Sequence, residues 1–307
     1  MSAVAVEVSD LTMRYGETLA VDALSLTVRT ASVTAILGPN GAGKTTTLET
    51  CEGYRSPQSG SVRVLGLDPV RQHDLLAPRL GVMLQSGGAW SGVRAEEMLR
   101  YVASLHPAPL SIGALMERLG LESCGRTPYR RLSGGQQQRL GLAMAIVGRP
   151  EIVFLDEPTA GLDPHARRST WELIEELAAD GVTVVMTTHY MEEAERLASW
   201  IYVVDGGRVV TAGSPQDLTS AGARHLIRFR AKPGLRIEEL MMALPDEHTV
   251  TEEPAGCYQV RGEVTPHTLA SVTAWCAASN VMPDDLAIER QTLEDVFLQL
   301  TGKDLRP

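Results

Sequence analysis

The sequence has few groups that could cross-link a fold or hold a metal cluster. Its four cysteines, Cys51, Cys124, Cys257 and Cys276, lie far apart in a chain of 307 residues, and no two of them form a Cys-x-x-Cys pair. That spacing excludes the usual patterns of zinc sites and disulfide frameworks. It fits a protein of a reducing cytosol.

Long apolar runs and an excess of positive charge are also missing. The most apolar stretch, residues 140–155, is interrupted by Arg149, Pro150 and Glu151, whereas a membrane-spanning helix needs about 20 predominantly apolar residues in succession. The first ten residues have neither a cationic start nor an apolar core, so we expect no signal peptide. Acidic side chains outnumber Lys and Arg by 38 to 28, which argues against a nucleic-acid-binding surface. We therefore expect a soluble protein that reaches any membrane through a partner.

The length of the chain and a change in its pattern of strands and helices predict two domains. A chain of 307 residues is too long for one ordinary core. Strands and helices alternate as far as about residue 218, which is typical of an α/β fold with a largely parallel sheet. Residues 219–307 follow the order β-α-β-β-α-β and then a last helix, and we expect them to form a small α+β domain.

Two features interrupt the predicted parallel sheet. Residues 4–8 and 21–28 read as an antiparallel hairpin, expected beside the strand Val33–Leu37. Residues 86–147 contain helical patterns and are expected to form a helical subdomain.

In the final segment, Thr292 and Asp295 form a capping-box-like pair, and Gly302 supplies a stop for the last helix. An apolar stripe follows that pair at helical spacing: Leu293, Val296, Phe297 and Leu300.

A glycine-rich turn follows the strand Val33–Leu37 and precedes a helix-forming stretch that begins at Lys44. The turn matches G-x-x-x-x-G-K-[ST], the phosphate-binding loop, in the structural context which that motif requires. Gly41 and Gly43 let backbone N–H groups point at a phosphate, and the following helix adds the positive end of its dipole. Lys44 would reach the β- and γ-phosphates, and the hydroxyl of Thr45 would ligate Mg²⁺. The alternative is a tight turn that binds nothing.

The apolar run Ile152–Leu155 ends in two carboxylates, Asp156 and Glu157. Because side chains alternate along a strand, the two can occupy different environments. Asp156 would hold Mg²⁺, and Glu157 would orient or deprotonate the water that attacks the γ-phosphate. The alternative is an acidic pair that faces solvent.

A third motif, Leu132–Gln136, leads into another predicted helix, Gln137–Val147. Ser133, Gly134 and Gly135 place a hydroxyl and free backbone N–H groups at a helix N-terminus, which favours anions. The alternative is that Ser133 is an ordinary helix cap. Two consecutive glycines weaken a helix start, so a cap alone does not explain them.

Together these motifs resemble the ATP-binding subunit of ATP-binding cassette (ABC) transporters over nearly all of residues 1–218, with Leu132–Gln136 similar to the family's signature motif. The resemblance implies a P-loop ATPase core with a mixed sheet, an antiparallel β subdomain and a helical subdomain. It implies that two copies pair head to tail, so that Ser133 and Gly135 of one copy close over the γ-phosphate held by Lys44 of the other.

The resemblance assigns roles to four further residues, each of which has a plainer alternative. Tyr15 is similar to the aromatic residue that stacks on adenine, but could be a turn tyrosine. Gln85 resembles the glutamine that touches Mg²⁺ and water, but could be a loop residue. Asp163 is similar to the aspartate that crosses the dimer interface, and it also precedes Pro164 as a helix cap does. His189 resembles the histidine that contacts the γ-phosphate, but could be structural.

The implied cofactors are ATP and Mg²⁺. The expected catalytic residues are Glu157, His189 and Gln85, and the expected metal ligands are Thr45, Gln85 and Asp156. The residues expected to contact nucleotide are Tyr15, Gly38, Pro39, Asn40, Gly41, Ala42, Gly43, Lys44, Thr45, Thr46, Asp156, Ser133, Gly134, Gly135, Gln136 and Asp163.

Two segments narrow the resemblance: Thr188–Glu195 and Leu293–Leu298 are similar to the daunorubicin/doxorubicin-resistance ATPases. That branch implies export of a drug-like or lipid-like substrate through a separate membrane permease, with the subunit peripheral on the cytoplasmic face. The permease would dock near Gln85 and residues 86–100. A cytosolic ABC ATPase of translation or DNA repair is disfavoured because such proteins typically carry two nucleotide domains or a long coiled-coil insertion. A P-loop kinase would leave Leu132–Gln136 and His189 unexplained.

Overall fold

A computed structural model of the chain describes residues 3–85, 88–220, 225–245, 247–289 and 292–301. The chain divides into two compact units, with the division between Pro215 and Gln216. Among the described residues, no helix is long and apolar enough to cross a membrane.

The described residues of the first unit form nine strands, β1 to β9, and seven α-helices, α1 to α7. The strands are β1 (Val4–Tyr15), β2 (Thr18–Arg29), β3 (Val33–Leu37), β4 (Ser59–Val64), β5 (Leu80–Met83), β6 (Ile152–Asp156), β7 (Thr183–Thr188), β8 (Trp200–Asp205) and β9 (Arg208–Gly213). The helices are α1 (Lys44–Cys51), α2 (His73–Leu76), α3 (Ala95–Ser104), α4 (Ile112–Arg118), α5 (Gly134–Ile146), α6 (Pro164–Ala179) and α7 (Met191–Leu197). A further helix, α8 (Pro215–Ser220), starts at the division.

A six-stranded sheet with the order β5-β6-β7-β3-β8-β9 forms the centre of the first unit. Its strands are parallel except for β9, which pairs with β8 in the antiparallel sense. Every residue of β3, β6 and β7 is buried, as expected for parallel strands covered on both faces. The carboxyl ends of these strands therefore meet at one edge, where the loops that follow them can form a site.

The predicted hairpin is present, but its predicted place is wrong. β1 pairs with β2 on one side and with β4 on the other in a separate three-stranded antiparallel sheet, whereas β3 pairs with β7 and β8. The alternating burial of β1 and β2 gives the hairpin one apolar face, and that face packs in the same core as Ile36 and Phe154 of the six-stranded sheet. The hairpin thus lies over the sheet and does not extend it, because β3 already has a neighbour on each side.

The helical stretch expected within residues 86–147 contains α3, α4 and α5, together with two short 3₁₀ turns. Helix α5 begins at Gly134, three residues earlier than predicted, because Ser133 caps it. The sequence patterns did not predict α2 or β9. Helix α2 spans only one turn and β9 is a half-exposed edge strand, so neither has a strong periodicity.

The second unit has the predicted order of elements. These are β10 (His225–Arg230), α9 (Ile237–Ala243), β11 (Thr249–Glu252), β12 (Cys257–Gly262), α10 (Pro266–Ala278), β13 (Asp284–Glu289) and α11 (Leu293–Thr301). The strands form an antiparallel sheet with the order β11-β12-β10-β13. Ile227 and Phe229 lie in the core of this unit, as their alternation with Arg228 and Arg230 predicted.

The last helix begins as its sequence indicates. The backbone N–H of Thr292 donates to Asp295, and the N–H of Asp295 donates to the hydroxyl of Thr292 at 3.2 Å. Leu293, Val296 and Phe297 are buried. The side chain of Leu300 and the predicted stop at Gly302 lie outside the described part of the chain.

Candidate nucleotide-binding site

The glycine-rich turn connects β3 to α1 and borders a cavity. Gly41 and Gly43 have φ angles of +80° and +97°, which side-chain-bearing residues rarely adopt. A Cβ atom on Gly43 would also lie 2.4 Å from the carbonyl oxygen of Ala20. The cavity has a volume of about 500 Å³. Its lining comprises Tyr15, Thr18, Leu19, Ala20, Asn40, Gly41, Ala42, Gly43, Lys44, Thr45, Thr46, Gln85 and Glu157.

Lys44 is folded back over the turn. Its Nζ donates to the carbonyl oxygens of Gly38 at 2.8 Å and Pro39 at 3.1 Å, and lies 3.9 Å from a carboxylate oxygen of Glu157. Burial lowers the pKa of Lys44, while the nearby carboxylates Glu157 and Asp156 act in the opposite direction. The cation is thus held beside the loop by carbonyl groups and two acidic neighbours.

Asp156, the last residue of β6, is buried and accepts two hydroxyl hydrogen bonds. Oδ2 accepts from Thr45 at 2.9 Å, and Oδ1 accepts from the hydroxyl of Thr187. Burial raises the pKa of Asp156, although the two hydroxyl groups oppose the shift. Carboxylate and hydroxyl oxygens are the donors that Mg²⁺ prefers, so the pair Thr45 and Asp156 fits that ion chemically.

Glu157 lies at the centre of the site. It has a φ of +50° and its backbone N–H donates to the carbonyl and the hydroxyl of Thr187 at 3.2 and 3.1 Å. Its carboxylate contacts Nδ1 of His189 at 3.2 Å and accepts from Gln85 at 3.4 Å. Since Glu157 is only 8% exposed, the alternative of a solvent-facing acidic pair is wrong.

Two aromatic groups border the site. The ring of His189 packs on that of Tyr190, with centroids 4.1 Å apart, and the guanidinium of Arg167 lies 4.6 Å from the Tyr190 ring. Tyr15 is 40% exposed, and the guanidinium of Arg55 lies 5.1 Å from its ring centroid. Tyr15 is therefore partly exposed at the wall of the cavity.

The signature-like segment is apart from this cavity. Among the described residues that line the cavity around Lys44, none comes from Leu132–Gln136. Ser133 caps α5: its hydroxyl accepts from the N–H of Gln136, and the side chain of Gln136 accepts from the N–H of Ser133. The capping alternative is thus correct for the isolated chain. Any contact between these residues and the Lys44 site requires another copy or a rearrangement.

The loop that ends at Asp163 packs against the signature-like segment. Asp163 caps α6 by accepting from the N–H groups of His165 and Ala166, both at 3.0 Å, and these bonds lower its pKa. Leu162 is buried, and a Cβ atom on Gly135 would lie 3.2 Å from its side chain. Asp163 itself is exposed.

Sequence patterns missed two residues of the site. The hydroxyl of Thr187 bonds both Asp156 and the backbone of Glu157, and the amide of Gln138 donates to the carbonyl of Glu157 at 2.7 Å. Thr187 could have been found, because strand alternation places it on the same side as His189. No pattern in the sequence points to Gln138.

The strand, glycine loop and helix, with an acidic pair at the end of β6, define a P-loop nucleoside triphosphatase. A family model for the ABC transporter domain matches residues 21–160. The chain is 33% identical over its whole length to the daunorubicin resistance ATP-binding protein DrrA3 of Streptomyces coeruleorubidus, of which it covers 98%. It is 36% identical to the Nod factor export ATP-binding protein I of Sinorhizobium fredii, over 99% of this chain and 88% of that protein.

Solved structures of similar fold agree with the family found from the sequence. An ATP-binding subunit of an ABC transporter superposes with a TM-score of 0.65 and 25% identity over 71% of this chain and 92% of that one. The dimeric bacterial cassette MJ0796 gives a TM-score of 0.62 and 25% identity over 68% of this chain and 98% of that one. The chain belongs to the ABC transporter ATP-binding subunits and is an ATPase of that family, as its motifs predicted.

Proposed function

We propose that this chain binds Mg-ATP at the loop Gly38–Thr46 and hydrolyses it to power export through a separate membrane permease. The observation that carries the proposal is the placement of Glu157. Its carboxylate is buried beside Lys44, His189 and Gln85, on the wall of a cavity of about 500 Å³. The names of the relatives, which refer to drug resistance and Nod factor export, support the direction of transport.

Each part of the nucleotide has a group to receive it. The partly exposed aromatic side chain of Tyr15 suits stacking on adenine, and the N–H groups between Asn40 and Thr46 suit the phosphates. The Nζ of Lys44 would exchange its two carbonyl partners for β- and γ-phosphate oxygens, which are stronger acceptors for a cation.

Thr45, Asp156 and Gln85 would hold Mg²⁺, which neutralises phosphate charge during phosphoryl transfer. Asp156 is suited to this because burial disfavours its ionised form in the isolated chain, so an adjacent divalent cation stabilises it. Glu157 would orient the attacking water and accept its proton. His189 and Gln85 already contact the Glu157 carboxylate and would position it and the γ-phosphate.

The remaining predicted contacts come from a second copy. Ser133, Gly134, Gly135 and Gln136 lie outside the cavity of their own chain, and Asp163 is exposed beside them. A head-to-tail pair would bring these residues to the partner's γ-phosphate. The dimeric state of MJ0796, a relative in fold, agrees with pairing.

We assign nucleotide chemistry to residues 1–218 and an accessory role to residues 219–307. The permease would place the subunit on the cytoplasmic face of the membrane and would carry a drug-like or lipid-like substrate. It would dock beside Gln85 and the described part of residues 86–100. Trp90 of that segment and the adjoining Tyr101 form an exposed aromatic pair with centroids 5.1 Å apart.

The substitution Glu157→Gln tests the assignment of the base. It keeps the shape and removes the proton acceptor, so the rate of ATP hydrolysis should fall about 10²- to 10⁴-fold while ATP affinity changes little. Glu122→Gln, at an exposed glutamate of the same unit, is the matched control and should leave both quantities unchanged. Near-normal turnover in Glu157→Gln would contradict the assignment.

A further inference from the structure

The first unit contains a second cavity of about 500 Å³, bordered by β5 and α5. Its wall includes Met83, Met144 and Tyr129. Tyr54 also lines the cavity, and 59% of its surface is exposed. Gln85 lines this cavity and also the one around Lys44. An occupant of the second cavity would therefore touch a residue that contacts Glu157.

One acidic side chain in this wall is unusual. Glu52 is 2% exposed, and its Oε2 has no hydrogen-bond partner among the described residues. It is the only carboxylate among the described lining residues, and no lysine or arginine accompanies it. A buried carboxylate without a partner is costly, whereas a buried carboxylate with a cation can be stable.

The surroundings of Glu52 increase that cost. Burial, with additional repulsion from Asp156 and Glu49, raises the pKa of Glu52 to about 8. Other titratable groups nearby are Cys51 and Tyr54 from its own segment and His73, His106 and Tyr129 from the cavity wall. The neighbouring carboxylates thus favour the binding of a positively charged group. That group would stabilise the ionised carboxylate of Glu52, whose proton would pass to solvent.

The lining indicates what kind of cation fits. The described residues contain no cluster of three or more His, Cys, Asp or Glu that could hold a metal ion. The rest of the described lining combines apolar side chains such as Met83 and Met144 with uncharged polar side chains such as Gln137 and Gln138. A single acid in such a wall suits a long flexible stem with a cationic end, which is the chemistry of lysine and arginine.

We propose that Glu52 is the receptor for a lysine or arginine side chain that the membrane permease inserts into this cavity. The proposal rests on the proposed function, because it takes the permease as the occupant. It adds the charge that the docking segment must carry. Glu52 would then be a specificity determinant: a permease segment without a cation at that position would dock poorly, since it would leave the carboxyl unpaired.

The chemistry can be tested on the purified chain with n-butylguanidinium, an analogue of the arginine side chain, and N-butylurea, its uncharged counterpart. At pH 8.5 the parent should bind the guanidinium at least tenfold more tightly than the urea, as measured by NMR titration. In Glu52→Gln the two affinities should agree within twofold, whereas Glu122→Gln should behave as the parent. Equal affinities in the parent, or a preference that survives in Glu52→Gln, would overturn the proposal.

The partner is tested in the reconstituted transporter. Glu52→Gln should lower the affinity of the chain for the permease at least tenfold and leave the ATP affinity within twofold of the parent value. Unchanged permease affinity would overturn the proposal while the proposed function stands. If the parent itself bound neither ATP nor a permease, the proposed function would fail as well.

Discussion

At the scale of single residues, the backbone of Glu157 explains much of the site. A φ of +50° is unusual for glutamate and costs free energy, and it persists only where neighbouring groups fix it. Thr187 does so by accepting the Glu157 N–H twice, and its hydroxyl also donates to Asp156. Thr187 therefore fixes the positions of both Asp156 and Glu157, although we assign it no step in the chemistry.

The substitution Thr187→Val measures that role. It removes a hydroxyl from a fully buried position and leaves a carboxylate and an N–H group with one partner fewer. The free energy of unfolding should fall by about 1–3 kcal/mol, and the ATPase rate should fall about tenfold or more, because the Glu157 carboxylate loses its fixed position.

Denaturant titration and steady-state hydrolysis measure the two effects of Thr187→Val. Thr211→Val on the half-exposed strand β9 is the control and should change neither quantity appreciably. A Thr187→Val protein with parent stability and parent turnover would show that the Glu157 backbone does not depend on this hydroxyl.

The buried carboxyl of Glu52 should make the free energy of unfolding depend on pH. Its pKa rises from 4.5 to about 8 on folding, so its contribution is fully favourable below about pH 4.5 and is lost as pH increases toward 8. The slope over that interval is about 1.4 kcal/mol per pH unit. Glu52→Gln removes this titration, so its stability relative to the parent should increase steadily between pH 5 and 8. Parallel stability curves for the two proteins would contradict the assignment.

At the scale of elements, the sequence predicted most of what positions the site. The turn before Lys44 has the glycines that its φ angles require, and the burial of β3 and β6 matches their mostly apolar residues. The placement of the hairpin was predicted wrongly, because periodicity tells which face of a strand is buried and does not tell which strands pair. Gln138 was missed for a similar reason: its contact with Glu157 depends on how α5 packs.

Helix α6 allows capping to be separated from function. Asp163→Ala removes the acceptor for two backbone N–H groups and should lower the unfolding free energy by about 1 kcal/mol, whereas Asp163→Ser retains a cap and should preserve stability. If Asp163 also acts across the dimer interface, both variants should lose ATPase activity. Full activity in Asp163→Ser would restrict this residue to capping.

At the scale of the whole molecule, the proposed head-to-tail pairing makes each chain an incomplete enzyme. The residues around Lys44 form one half of a pocket, and the segment Leu132–Gln136 lies outside the lining of that cavity in the same chain. In the proposed head-to-tail pair, the loop of one copy would meet the signature segment of the other, and two pockets would form together. A closed dimer with two-fold symmetry allows this arrangement, because each copy then contributes its loop to one pocket and its signature segment to the other.

Mixing two defective chains tests this account most directly. Lys44→Ala disables the loop and Gly135→Asp disables the signature segment, so each variant alone should be nearly inactive. An equal mixture should recover up to about a quarter of the parent ATPase rate, because half of the randomly formed dimers are mixed and each mixed dimer has one intact pocket. An activity in the mixture no greater than the mean of the two separate variants would contradict the account, as would full activity of Gly135→Asp alone.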